Sequence, residues 1–132
     1  MQLTSNASSI RDTGLTEIWV DEIGILWVKP KEGAEIDLEE VQRCFAIYRE
    51  LGCAVNKKLQ IFDARSDCSS TPAMRDYVAR HGPEMFRASA IVTNNLAVRI
   101  AANFFIQFYP QRIPFKMFRD EIEAKEWLNQ FR

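Results

Sequence analysis

Histidine occurs once in this chain, at His81, and that scarcity excludes a good deal. A Ser-His-Asp or Cys-His hydrolase would have no other imidazole to serve as its base. His81 is followed by Gly82 and Pro83, the pattern of a helix C-terminus, where an imidazolium is favoured by the helix dipole. Only five glycines are present, and Gly33, Gly52 and Gly82 stand alone, so neither a dinucleotide fingerprint nor a P-loop is spelled out. Cys44, Cys53 and Cys68 are too widely spaced to form a zinc-binding couple, and their odd number argues against a closed disulfide framework. No metal or cofactor is expected, and a reducing cytoplasm is the expected location. Neither sign of charge prevails, with 17 Lys+Arg against 18 Asp+Glu, so no basic surface for nucleic acid or a polybasic membrane patch is indicated. The longest apolar stretch, Ala97 to Tyr109, is broken by Arg99, Asn103 and Gln107 and is too short to insert across a bilayer. Met1 to Ser9 is polar and lacks the apolar core of a signal peptide.

What is present is core material. Of the 132 residues, 47% are hydrophobic, including nine Phe and three Trp, which excludes intrinsic disorder. The length fits one domain. Residues 1–14, rich in Ser, Asn and Thr, read as a flexible lead, and 15–132 as a single domain.

The hydrophobic pattern predicts strands at Thr16–Val20 and Gly24–Val28, joined by Asp21, Glu22 and Gly24 as an antiparallel hairpin. A helix is predicted from Asp37 to Leu51, with Leu38, Val41, Phe45 and Tyr48 on one face, acids in its first turn and Gly52 after its end. Leu59–Phe62 reads as a buried strand, Pro72 to His81 as a helix, and Ala88–Val92 as an inner strand. Asn94 or Asn95 caps a helix to Tyr109. Pro114–Phe118 is a last strand, and Asp120 with Glu123 opens a helix to Phe131. The expected fold is α/β: a mixed, mostly parallel five-stranded sheet with an N-terminal antiparallel hairpin and four helices.

In such sheets, sites form where strands end and helices begin. Here that place is Phe62 to Pro72, where Ser69, Ser70 and Thr71 stand before a helix N-terminus that favours a phosphate. The plainer reading makes Thr71 an N-cap with Pro72 at the first helical position and lets Asp63 simply end a strand. The two are compatible. Asp63 and Arg65, with Asp67, form a loop site that would need a second cluster to act on a metal or as acid and base.

The helix Asn95–Tyr109 carries more apolar surface than one contact requires. Leu96, Ala97, Ile100, Ala101, Phe104 and Phe108 form a broad face suited to the sheet, and Val98, Ala102, Phe105, Ile106 and Tyr109 form a second. This second face is expected to be covered by the C-terminal helix, to bind a protein partner, most simply a twin subunit, or to hold a lipid-like ligand against the sheet.

Leu59-Gln60-Ile61-Phe62-Asp63, followed by Ser69-Ser70-Thr71, resembles the STAS fold, and so does the run from Ala90-Ile91-Val92 through Arg99-Ile100-Ala101 and Phe118 to Glu123–Leu128. The resemblance covers about residues 16–131. That family includes the anti-sigma factor antagonists, and related bacterial domains are similar to CRAL-TRIO lipid-binding proteins. The resemblance implies a non-enzymatic, regulatory protein-interaction module with a kinase or anti-sigma-like regulator as partner. It also implies a phosphoacceptor at Ser70, with Ser69 and Thr71 as alternatives. The family's Asp-Ser-Ser-Gly reads Cys68-Ser69-Ser70-Thr71-Pro72 in this chain. A homodimer is expected, and the alternative function is binding of a small apolar ligand or lipid between the 95–109 helix and the sheet.

Overall fold

A computed structural model describes residues 7–132. Its elements run β1 (Arg11–Asp12), β2 (Thr16–Val20), β3 (Ile25–Pro30), β4 (Glu35–Ile36), α1 (Leu38–Glu50), β5 (Lys58–Asp63), β6 (Ser69–Ser70), α2 (Pro72–His81), β7 (Phe86–Val92), α3 (Leu96–Phe108), β8 (Phe115–Phe118) and α4 (Glu121–Asn129). A single 3-10 turn, Gly82–Glu84, links α2 to β7.

The main sheet has six strands in the order β1-β2-β3-β5-β7-β8, and β4 and β6 form a separate two-stranded parallel pair. Five strands were expected. Two-residue strands such as Arg11–Asp12 are too short to leave a periodic signal, so β1 joins the sheet unannounced. The sheet is mixed rather than mostly parallel: β1-β2 and β2-β3 are antiparallel, while β3-β5, β5-β7 and β7-β8 are parallel. Of the flexible lead expected over 1–14, residues 1–6 lie outside the described part. Residues 11–14 are tied in through β1 and through Thr13, whose N–H donates to the Thr16 carbonyl at 3.0 Å.

Local chemistry explains the joints. In the β2-β3 turn, the Asp21 carboxylate accepts from the Ile23 and Ile25 amides and from the Trp27 indole, and Gly24 takes a positive φ of 86° that a side chain would resist. Asp37, Thr71, Asn95 and Asp120 cap the four helices with their side chains, each accepting from amides of the first turn.

Strands 3, 5, 7 and 8 follow one another in space as in sequence, so consistently handed crossovers put α1, α2 and α3 on one face of the sheet. The terminal α4 crosses to no further strand and covers the other face. Residue alternation divides the sheet accordingly. Ile18, Val20, Leu26 and Val28 join a core with α1 and α2, while Ile25, Trp27, Leu59, Ile61, Ala88, Ala90 and Val92 join one with Ala124 and Leu128 of α4.

Candidate functional site: a cavity between the sheet and three helices

Protein interiors are close-packed, with few voids larger than a water molecule. Between the sheet and α1, α2 and α3, however, lies a partly open cavity of about 240 Å³. Its floor includes Gln60 and Phe62 of β5 and Ser89 and Ile91 of β7, the residues that alternation turns away from α4. Its walls are Phe45 and Tyr48 of α1, Met74 and Val78 of α2, and the inner side of α3. That inner side is rich in small residues, Ala97, Ala101 and Ala102, which cannot fill the gap between helix and sheet. Phe105, tilted against Phe115 with 5.3 Å between ring centres, props the helix at its far end.

The lining is mostly apolar, with a few polar groups set into it. On the floor, the Ser89 hydroxyl donates to the Gln60 amide oxygen at 2.6 Å, and both residues are buried. From α2, the Arg75 guanidinium donates through Nη1 to the Ser70 carbonyl at 2.9 Å and its hydroxyl at 2.8 Å. Thr16, at the edge, donates to the fully buried carboxylate of Glu40 at 2.6 Å, which also accepts from Thr13 and from Arg43. Glu40 looks in sequence like one more acid in a helix first turn. In the fold it pins the chain around β1 and β2 to α1.

The expected phosphoacceptors are divided among three settings. Ser69 is exposed on β6, its amide donating to the Ala34 carbonyl. Ser70 is half-buried, lines the cavity and rests on Arg75. Thr71 is the N-cap of α2, its hydroxyl accepting from the Met74 amide at 3.2 Å. These residues do not form the simple loop expected, because β6 pairs with β4.

Asp63 and Arg65 lie elsewhere. Asp63 is buried at the end of β5, facing the side of the sheet that α4 covers, and Arg65 grips it through Nε and Nη2 at 2.9 Å each. The same guanidinium reaches Glu121 at the start of α4 at 3.1 Å. Burial pushes the Asp63 carboxyl up, but hydrogen bonds and charge from Arg65 outweigh it and hold the group below the usual carboxylate range. Asp67 is exposed, and its amide donates to Glu32. Asp63, Arg65 and Glu121 clamp β5 to α4, Asp67 takes no part in that clamp, and none of the clamp residues lines the cavity with Ser70.

Helix α3 is rotated relative to expectation. Ala102 and Phe105, assigned in sequence to an outer interface, are buried, and Val98 and Tyr109 are half-buried beside them, so only Ile106 of that set stays exposed. Of the face expected to meet the sheet, Ala97 and Ala101 do line the cavity, but the large residues point outward: Leu96, Ile100, Phe104 and Phe108 are 68%, 61%, 53% and 61% exposed. The two faces are almost equally greasy, so periodicity alone had no means of ranking them. Nor does α4 cover either face of α3, since it sits across the sheet.

All three cysteines are free and buried. Burial, helped by the Glu40 charge, pushes the Cys44 thiol up to about 12, and burial pushes Cys53 up to about 11 and raises Cys68. Thiols so disfavoured as thiolates are poor nucleophiles.

Sequence reasoning passed over Gln60, Ser89, Arg75 and Glu40. For the first two a signal existed, since each is a lone polar residue inside an apolar central strand. For Arg75, on a helix flank, there was none.

No curated protein matches this chain. Among solved structures it is similar to an uncharacterized protein of the DUF3478 family with a SpoIIAA-like fold from Shewanella loihica PV-4. That match has 18% identity and a TM-score of 0.56, and it covers 97% of this chain and 98% of the other. The likeness establishes the STAS-like architecture and nothing finer. Residues 18–132 match the family described as a domain of unknown function (DUF7793), and over that span this chain, a STAS-like domain, belongs to it.

Proposed function

We propose that this chain is a non-enzymatic regulatory module of STAS type, working in a reducing cytoplasm, whose state is set by a small apolar molecule held between α3 and the sheet. The observation that carries this reading is the cavity of about 240 Å³. Taking the ~30 Å³ that one water occupies in the liquid as a yardstick, it has room for roughly eight carbon-sized groups. A void of that size in so small a domain is costly unless something fills it. Because α3 forms one wall, an occupant would bear directly on how that helix sits, which gives a partner something to read.

The test is a titration with 1-octanol followed by methyl NMR. A saturable shift of the Val98, Ala102 and Ile91 methyls, absent from distant methyls such as Ala124, supports the reading. No saturable shift up to the solubility limit of the alcohol, in a protein that is folded, removes it.

A second reading is favoured by the exposed stripe of α3 and by the Ser70 hydroxyl resting on Arg75. The stripe would dock a protein partner, a twin subunit being the simplest, and phosphate on Ser70 would be held by the guanidinium and modulate that docking. Mass spectrometry of protein from its native cell reads residues 66–71 for phosphate, and sedimentation reads the oligomer. An unmodified, strictly monomeric chain across growth conditions would sink this second reading.

A further inference from the structure

We infer that the occupant of the cavity is a carboxylate amphiphile, an alkyl chain of about eight carbons whose acid head is taken by Arg75, with the Gln60 amide as a further donor on the cavity floor. The inference rests on the cavity reading above and adds the chemical class of the ligand.

Arg75 lines the cavity, and among the described residues it makes no ion pair. By contrast, the guanidiniums of Arg43, Arg65 and Arg80 are each held by a carboxylate. Arg75 uses only Nη1, on Ser70, which leaves Nε and Nη2 as donors. Helix α2 has no acid in its first turn to neutralise either the guanidinium or its own N-terminal dipole.

Gln60 supplies the second, independent observation. It is 8% exposed, and its amide oxygen is taken by the Ser89 hydroxyl. Its amide nitrogen has no acceptor among the described residues, although the residue forms part of the cavity floor. That NH₂ is not sealed off, since no closed-in side-chain nitrogen or oxygen among the described residues lacks a partner, so it is open to an acceptor that an occupant supplies. The uncommitted polar groups of the lining are therefore donors, and one is a cation. The matching head is an anion with two acceptor oxygens, and a planar carboxylate suits a guanidinium fork. The apolar remainder of the lining takes the alkyl chain.

The arrangement also ties the cavity to Ser70. A head group that draws the guanidinium into the cavity pulls its Nη1 from Ser70, and a phosphate on Ser70 would hold the same guanidinium in place there. Each should weaken the other, reciprocally.

The experiment compares sodium octanoate with 1-octanol on the full chain at neutral pH, by calorimetry or the same methyl shifts. Octanoate is expected to bind about tenfold more tightly than octanol. Arg75→Gln is expected to remove that advantage while leaving octanol within about twofold, Arg75→Lys to keep part of it, and Ser70→Glu to weaken octanoate alone. Octanoate that binds no more tightly than octanol, or that is indifferent to Arg75→Gln and Arg75→Lys in folded protein, overturns the head-group assignment and leaves the cavity reading standing. Failure of both ligands overturns the cavity reading and this one with it. Arg75→Lys also guards against an Arg75→Gln chain that does not fold.

Discussion

The two faces of this sheet are made from the same strands, yet one is closed and the other hollow. On the α4 side, Ala88, Ala90 and Val92 are small and fully buried, and Ala124 and Leu128 come down on them with no exposure left. Aromatic rings seal the margin: Trp19 and Trp27 stack at 5.6 Å, and Trp127 sits between Phe118 and Phe131. On the α3 side, alternate residues of the same strands are Gln60 and Ser89, and the helix above them offers alanines. Small residues on a sheet let a helix approach, whereas small residues on a helix held away by Phe105 leave a gap. What separates a solid core from a ligand site here is which partner carries the alanines and whether a large ring keeps the two apart.

The largest effect should come from the closed face. Leu128→Ala is expected to cost about 3 kcal/mol in denaturant unfolding, because α4 has no slack with which to collapse onto the void. If it costs under about 1 kcal/mol, the contrast between the faces is not real. Overpacking gives the sharper comparison. Ala90→Leu, under α4, should destabilise by about 2 kcal/mol, whereas Ala102→Leu, projecting into the cavity, should cost well under about 1 kcal/mol or stabilise, and should abolish octanol binding. Equal costs would mean that the space above Gln60 does not exist in solution.

The two faces also differ in how their charges are held. Glu40→Gln, on the three-helix side, should lose about 2 kcal/mol, since a fully buried acceptor of Thr16, Thr13 and Arg43 is weakened. Asp63→Asn, on the α4 side, should lose about 1 kcal/mol, because Arg65 is partly exposed and its pairing is screened. Asp63 also sets a pH signature. Its folded value lies below the unfolded one, so its contribution is fully present above about pH 4 and is lost as pH falls through the lowered value. Stability profiles of wild type and Asp63→Asn should therefore converge in acid. A constant gap down to pH 2 would dissociate Asp63 from the clamp.

The smallest effect is expected on the outer stripe of α3. Phe104→Ser should change stability by under about 0.5 kcal/mol, as exposed positions do. If the stripe docks a twin subunit, the same change should shift sedimentation from dimer to monomer. A loss of several kcal/mol would mean that this face is inside after all.

Much of the fold was legible. The hairpin follows from Asp21 to Gly24, the α1 face from Val41, Phe45 and Tyr48 (though Leu38, expected with them, is exposed), and the helix starts from Asp37, Thr71, Asp120 and the Asn94-Asn95 pair, of which Asn95 is the cap. Each is a local signal in which a side chain caps an amide or a period repeats within a few residues. The short strands Arg11–Asp12, Glu35–Ile36 and Ser69–Ser70 were not legible, because two residues carry no period and their pairing depends on partners distant in sequence. At the site, Ser70 was visible as a hydroxyl before a helix, but Arg75 beneath it was not. Asp63 and Arg65 were seen together as a loop pair, but nothing local pointed to Glu121 as their third member.

The sequence by itself determined the alternation of strands and helices, the capping residues, and the surplus of apolar surface on the helix from Leu96 to Phe108. Those properties are set within one or two turns of chain. Which side of that helix meets the sheet was decided by tertiary structure, because two nearly equal apolar faces compete and only the shape of the opposing floor chooses between them. The floor accepted Ala102 and Phe105, turned Leu96, Ile100, Phe104 and Phe108 outward, and left between them a cavity that no local pattern encodes.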